Sequence, residues 1–442
     1  MIRSHFSSIR KVALVFLLLL LPAAAQAHVK WFSQFSFADR PRLLAEVASP
    51  LFFGLAALAM LVIGLLVLVD RWLAQHATFQ RFEGWLEEHK EQSTLVMRVA
   101  MGATFLLCWQ ADAMLVPELK IDAPILGWLQ FVLALLLVFP QTTPLAGLGL
   151  AALYLYGATR FGFFYMVDYL HYVGIAIFLA LSQVKQVRIR AIRLPLLYLT
   201  VGFSLSWLAL EKIIYPDWAL YLLQQRPQLS MGLPVSFFLT SAAFVEFSLG
   251  YLLIICLFQR PLALVITLVF FTTTAVFGKV EVIGHTTLHA VLIIFLLNGP
   301  GTVYRAPITF HSRTPLRVAF AAVNFALILG VMLVLYNGGA WYQYQNYKAG
   351  LPVIEVAAAN APTVSLSATG THLHINTTRF YAGETHVYVN GAYVGSAHDD
   401  AYELGPLPPG VYRVAVTLHD DAQRFITVKG EPIAAKQVIV VD

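Results

Sequence analysis

The residues of this chain best suited to chemistry are acids, imidazoles and a lysine set in otherwise apolar runs. Glu281, His285 and His289 lie in GKVEVIGHTTLHAVLIIFLL, Asp168 and His171 in MVDYLHYVGIAIFLAL, Glu211 and Lys212 in SWLALEKIIYP, and Glu246 in FVEFSLGYLLIICLF. Titratable groups are costly inside a membrane span, so they mark a bound ligand, a relay or a paired structural lock. Glu281, His285 and His289 are spaced i, i+4, i+8 and share a helix face with a drift of about 40° per step. Two imidazoles at i and i+4 can chelate one metal ion, with a carboxylate one turn away as ligand or support. Asp168 and His171, at i and i+3, offer a second metal-ligating pair. A quinone headgroup would instead take hydrogen bonds from His171 or His289, with Lys212, Glu211 and Glu246 as charged neighbours and Trp109, Trp207 or Tyr215 packing on its ring. A haem would need two opposed imidazoles, for which His171 and His289 are the matched pair. The plain alternative is that these groups only pair across helices, each bond worth under about 2 kcal/mol. The spacing His-x-x-x-His without further closing ligands does not make a zinc protease.

Composition sets the frame that must hold these residues. Of 442 residues, 59% are hydrophobic and only 12% charged, which describes a polytopic membrane protein with room for a small extra domain. The net charge of +5 belongs to loop residues and argues for no nucleic acid. Cys108 and Cys256 both lie in apolar runs, with no CxxC partner, and read as packing. Residues 1–27 carry the marks of a signal peptide: basic Arg3, Arg10 and Lys11, an apolar stretch, and Ala25-Gln26-Ala27 as a cleavage site. Residues 28–47 then form an extracytoplasmic segment, and 48–93 hold a first span and a cytoplasmic loop.

About ten further runs approach the roughly 20 residues a spanning helix needs. Their cores are Pro50–Val69, Val96–Val116, Ile125–Phe139, Leu145–Tyr156, Phe164–Ser182, Leu194–Ile214, Leu233–Leu257, Leu262–Phe277, Ile283–Leu297 and Val318–Tyr336. The loop Gln183–Arg193 holds Lys185, Arg188, Arg190 and Arg193 without an acid, and Gly299–Arg317 holds Arg305, Arg313 and Arg317 without one. Basic loops face the cytoplasm, so both termini are expected outside a bacterial-type inner membrane, with the polar residues at the outer ends of their spans. Residues 299–350 supply a cytoplasmic loop, a last span and a linker. From 351 to 442 the chain turns to short β-type runs broken by Gly, Pro, Asn and Asp, the pattern of an extracytoplasmic Ig-like β-sandwich. The expected architecture is thus an all-α polytopic bundle followed by a β-sandwich.

Within the bundle, MRVAMGATFLLCWQADAMLVPEL parallels LYLTVGFSLSWLALEKIIYPDW, Gln130 falls opposite Glu246, and His171 opposite His289. The chain therefore reads as two four-helix units, 94–192 and 193–298, running in the same direction, an arrangement that places sites between halves. In the second unit, Gly202, Lys212, the Gly232-Leu233-Pro234 turn, Glu246 and Gly250 resemble the DoxX group of four-helix membrane proteins. The resemblance covers about 100 residues, and the first unit only as a degenerate copy. It implies a four-helix fold and an association with quinol oxidases or other electron-transfer systems, and it transfers no catalytic residue.

Three remaining features carry weaker signals. Cleavage after Ala27 would make His28 a new N-terminus whose amine and imidazole could chelate copper, although HVKWFSQF also suits a membrane-surface segment. In the tail, His372 and His374 share a strand face, and His386, His398 and His419 follow, so a metal face is conceivable and a docking module for a periplasmic or membrane redox partner is the default. No phosphate-binding glycine loop, nucleophile motif or nucleic-acid module is present. The chain is thus expected to be a redox-associated protein binding a quinone, haem, or a copper, iron or zinc ion, with a transporter of a small solute or metal ion as the alternative, ranked second because the polar groups gather at the outer ends of the spans and not at the midplane.

Overall fold

The structure, a computed structural model, describes residues 29–32, 39–121, 123–230, 232–301, 306–380, 383–397 and 400–441. The proposed signal peptide, His28 and His398 lie outside the described residues. The chain divides into two compact units. Of the described residues, one unit comprises 29–31, Arg42–Ile214 and Ser236–Asn337, and the other comprises Phe32, 39–41, Tyr215–Val235 and Gly338–Asp442.

The first unit is helical. Its elements in order are α1 Val29–Phe32, α2 Leu44–Val47, α3 Pro50–Leu73, α4 Ala77–Glu88 and α5 Ser93–Gln110, then the hairpin β1 Ala113–Met114 and β2 Val116–Lys120. There follow α6 Pro124–Leu136, α7 Thr143–Phe161, α8 Phe163–Met166, a 3-10 turn Val167–Tyr169, α9 His171–Ala180, α10 Val187–Ala191 and α11 Arg193–Ile214. After α12 Pro216–Gln225, which belongs to the second unit, come α13 Val235–Ile255, α14 Gln259–Phe277, α15 Lys279–Asn298 and α16 Thr314–Ala349. Start signals are local: Ser49 Oγ accepts from Phe52 N–H at 3.2 Å and Pro50 occupies the first turn of α3. Gly278, at φ +69°, turns the chain between α14 and α15 so that the two pack side by side.

Among the described residues, six helices are long and apolar enough to cross a membrane: α3, α10 with α11 as one span, α13, α14, α15 and α16. The pair α8 and α9, bent by 65°, would make a seventh. Each of the ten expected runs does hold a helix, but α5, α6 and α7 fall short of that standard. At 13 residues α6 is about 20 Å long, against an apolar thickness near 30 Å. Arg98 in α5 and Arg160 with glycines and threonines in α7 dilute the other two. The expected helix over Val96–Val116 also stops at Gln110, because the chain turns into the hairpin. Gln130 of α6 pins that turn, donating to Ala113 O at 2.8 Å and accepting from Leu115 N–H at 3.2 Å.

Helix packing is reciprocal between the two expected halves: α5 lies on α15, and α11 lies on α9. Within each half, α7 packs on α9 and α14 on α15. Thr104 of α5 and Thr287 of α15 share a hydrogen bond of 2.6 Å. Gly202 and Gly250 mark the closest approach of α11 and α13, where an added methyl on Gly202 would sit 2.5 Å from the Gly250 carbonyl. On the opposite end of α15, Arg260 donates to the carbonyls of Leu296 and Leu297 at 3.0 and 3.4 Å and pairs with Glu83 of α4 at 2.5 Å. A cation on terminal carbonyls offsets the negative end of the helix dipole.

The second unit is built on β-structure: β3 Val353–Glu355, β4 Thr363–Thr369, β5 His372–Thr378, β6 Glu384–Val389, β7 Ala392–Ala397, β8 Ala401–Glu403, β9 Gly410–His419, β10 Phe425–Val428, β11 Glu431–Pro432 and β12 Ala434–Val441. One sheet has the path β11-β10-β9-β6-β7, with β12 on β9 and β3 on β10, and the other has the order β4-β5-β8. Alternating burial along β5 and β6 sends Leu373, Ile375, Val387 and Val389 into one core with Val414, Val416 and Ile439. Asp39, from the stretch Phe32–Pro41, is anchored to this domain by Arg413 at 3.0 Å and Lys436 at 2.9 Å, and accepts from Trp218 Nε1 at 2.8 Å. Burial works against its charge, but Lys436 and Arg413 outweigh it and hold the carboxyl below the usual range.

Candidate functional site

The site is assembled around Lys30, which the short helix α1 inserts into the helical unit. Its ammonium nitrogen lies 2.5 Å from an Asp168 oxygen and 2.8 Å from Glu211, and all three side chains are buried. It also sits 4.9 Å from the ring centre of Tyr165, within cation–π range. The Tyr165 hydroxyl donates to Glu118 at 2.8 Å, and the Tyr169 hydroxyl donates to the same carboxylate. Asp168 falls in the 3-10 break between α8 and α9, whose 65° bend presents Tyr165, Asp168 and Tyr169 together. The backbone N–H of His171, just past this break, is satisfied by Ser204 Oγ at 3.0 Å. Burial opposes the charge of Lys30, and Asp168 with Glu211 overcomes it, raising the ammonium above its ordinary value. Burial pushes the Glu118 carboxyl up to about 7, against Lys30 and the two tyrosine hydroxyls. An acid titrating near neutrality beside a fixed ammonium is equipped to exchange protons.

The adjacent residue on α11 starts a second pair. Lys212 Nζ meets Glu246 of α13 at 2.6 Å, both buried. Glu246 lines a cavity of about 30 Å³ together with His285, His171, Tyr169, Ser204 and Trp31. That volume suits about one water molecule. On its far wall His285 Nδ1 lies 2.6 Å from Glu281, whose carboxylate also accepts from Thr273 Oγ1 at 2.9 Å. Phe270 stacks on the His285 ring at 4.1 Å and Trp31 tilts against it at 5.0 Å. Gly284 is what admits Trp31, since a Cβ there would fall 1.9 Å from its ring.

Several expected site residues meet different partners from those their spacing suggested. Glu281 and His285 do pair, but His289 turns away to Phe271, ring centres 4.7 Å apart, and its Nδ1 has no hydrogen-bond partner among the described residues. Asp168 is taken by Lys30 and not by His171. Glu211 pairs with Lys30 and Lys212 with Glu246, so neither meets Glu281, although His285 shares a cavity with Glu246. Among the described residues no three His, Cys, Asp or Glu side chains are grouped to hold a metal ion. The haem pairing also finds no fit: His171 shares a cavity with His285, not His289, and that cavity has no room for a macrocycle. Gln130, matched to Glu246 in the repeat, only clamps the hairpin.

In the β-domain, His372 pairs with Glu403 at the exposed end of β5. His386 and His419 stack with ring centres 3.7 Å apart on the neighbouring strands β6 and β9. His419 is held neutral down to about 4, by burial first and by His386 second. Sequence reasoning missed Lys30, Trp31, Glu118, Tyr165 and Tyr169 as members of the site. Lys30 carried the one usable signal: a cation followed by two aromatics, Trp31 and Phe32, close behind the proposed cleavage point. No protein-family model, curated protein or solved structure matches this chain.

Proposed function

We propose that this protein is a proton-coupled membrane transporter of a small solute, built on a DoxX-like double unit. The supporting observation is a buried acid–base series that runs from Glu118 through Lys30, Asp168 and Glu211 to Lys212, Glu246, the small cavity and the His285–Glu281 pair. Lys30 is held by two acids, Asp168 and Glu211, and Lys212 by one, Glu246, and one water in the cavity would join Glu246 to His285. In this reading the shorter helices α5 to α7 also lie in the bilayer, and the reciprocal packing of α5 on α15 and α11 on α9 is a pseudo-two-fold relation. A cleaved signal peptide and an extracytoplasmic β-sandwich facing partners complete the proposed topology in an inner membrane. The test is proton movement in proteoliposomes holding the full chain and an internal pH dye, driven by an imposed solute gradient. Glu246→Gln should abolish it; a variant indistinguishable from the native protein sinks this reading.

A second reading, association with electron transfer through a bound quinone, draws on the aromatic clamp of Phe270 and Trp31 around His285. It requires Trp31 to swing out of its Gly284 notch, since the present cavity is water-sized. Quinone extracted in stoichiometric amount from purified protein, and lost in His285→Ala, would favour it over transport; copper, iron or zinc measured in the same preparation tests the metal variant.

A further inference from the structure

We propose that the cage around Lys30 is a binding site for a small primary ammonium ion, and that Lys30 is its tethered resident occupant. Two carboxylates, Asp168 and Glu211, stand 2.5 and 2.8 Å from the nitrogen, and the face of Tyr165 covers it at 4.9 Å. A third acid, Glu118, waits behind the tyrosine hydroxyls. Carboxylates for the N–H donors with an aromatic face over the charge are the elements by which proteins recognise ammonium ligands.

The cage and its occupant come from different kinds of element. The walls belong to α8, the 3-10 turn, α11 and the β1–β2 hairpin, all parts of the packed unit. The occupant arrives on a four-residue helix whose neighbour Trp31 is seated in the notch over Gly284. Lys212 makes the contrast: it stands on the long helix α11 and meets the single carboxylate Glu246. Removing Lys30 would leave Asp168 and Glu211 as uncompensated buried charges, a state that a free ammonium of the same shape would relieve. A quaternary ammonium would not, since it has no N–H to give two carboxylates.

This deepens the transport reading by naming its substrate class, and it rests on that reading only for movement of the ligand; binding is tested separately. The full chain carrying Lys30→Ala is purified in detergent and its Tm followed against n-propylammonium chloride, with tetramethylammonium chloride and sodium chloride at equal ionic strength and n-propanol as controls. Lys30→Ala should lower Tm, and n-propylammonium should saturably restore at least half the loss while the controls and the native chain show no such response. No restoration, or equal restoration by tetramethylammonium, overturns the proposal. If Lys30→Ala yields no folded protein, the triple variant Lys30→Ala, Asp168→Asn, Glu211→Gln must fold and ignore the amine; a triple variant that also fails, or one that still responds, overturns it as well. Binding without amine flux in proteoliposomes would keep the cage and reject transport of amines, and proton-coupled flux without amine binding would do the reverse.

Discussion

Breaking the Lys212–Glu246 pair one partner at a time should cost far more than removing both. At 2.6 Å and an effective dielectric of about 20, the attraction is about 6 kcal/mol, and the buried position means water cannot replace a lost partner. Desolvation of two ions offsets much of that gain in the intact pair, whereas a lone buried charge keeps its desolvation cost and loses its compensation. Glu246→Leu and Lys212→Met are each expected to destabilise by about 3–5 kcal/mol, seen as a Tm loss of roughly 5–10 °C in detergent. The double variant Lys212→Met with Glu246→Leu should lie within about 1 kcal/mol of the native protein, giving a coupling energy of about 5 kcal/mol or more. Raising salt from 0.05 to 0.5 M should change none of these differences, because screening does not reach the pair. The assay is reversible denaturant titration of the full chain, with thermal unfolding as a check. A double variant as unstable as the sum of the singles would refute the reasoning, since it would show that the two side chains act through packing and not through their mutual charge.

Three further outcomes follow from local geometry. Gly284→Ala places a methyl 1.9 Å from the Trp31 ring, so α1 should be expelled and the Trp31 fluorescence environment altered; unchanged protection of residues 29–32 in hydrogen exchange would contradict the notch. Gln130→Leu orphans the Leu115 N–H and the Ala113 carbonyl, an expected loss of about 2–3 kcal/mol that hydrogen exchange over residues 111–121 should localise. His419 is neutral in the folded domain down to about 4, whereas an unfolded histidine protonates near 6.5. The unfolded state therefore binds more protons between those values, so stability is full above about pH 6.5 and falls as pH drops towards 4. Partial solvation of the neighbouring His386 limits the effect to about 1–2 kcal/mol. Exchange from β6 and β9, corrected for intrinsic rates, should rise over that window in the native chain and not in His419→Gln.

Much of the frame was legible because it rests on short-range signals. Each apolar run became a helix, and the alternating tail became two sheets, since burial period is written directly into residue order. Helix length was less legible. The run Val96–Val116 gave no sign that Gln130, out of sight on another helix, would hold its last residues in a hairpin. The imidazole spacing was read correctly as a shared face for Glu281 and His285, yet His289 drifted off it to the ring of Phe271. Partners of charged groups are set by tertiary packing, and the segment bearing Lys30 looked from sequence like a surface strip. Gly202 and Gly250 stood out in the sequence only as marks of a family resemblance, and nothing in residue order showed that the two would meet where α11 crosses α13.

The adjacency of Glu211 and Lys212 shows why the network takes the form it does. Neighbours on a helix point about 100° apart, so two opposite charges in succession cannot neutralise each other across the same groove. Each must find a partner on a different side of α11: Glu211 the ammonium of Lys30, Lys212 the carboxylate of Glu246. One turn of one helix thereby joins two clusters that share no side chain. Because the Lys30 pair and the Glu246 pair are held by the same backbone, a tilt or rotation of α11 that loosens one must strain the other. If the proposed transport holds, displacement of Lys30 would be felt at Glu246 and at the cavity it shares with His285, and α11 would be the element that couples occupancy of the cage to proton position.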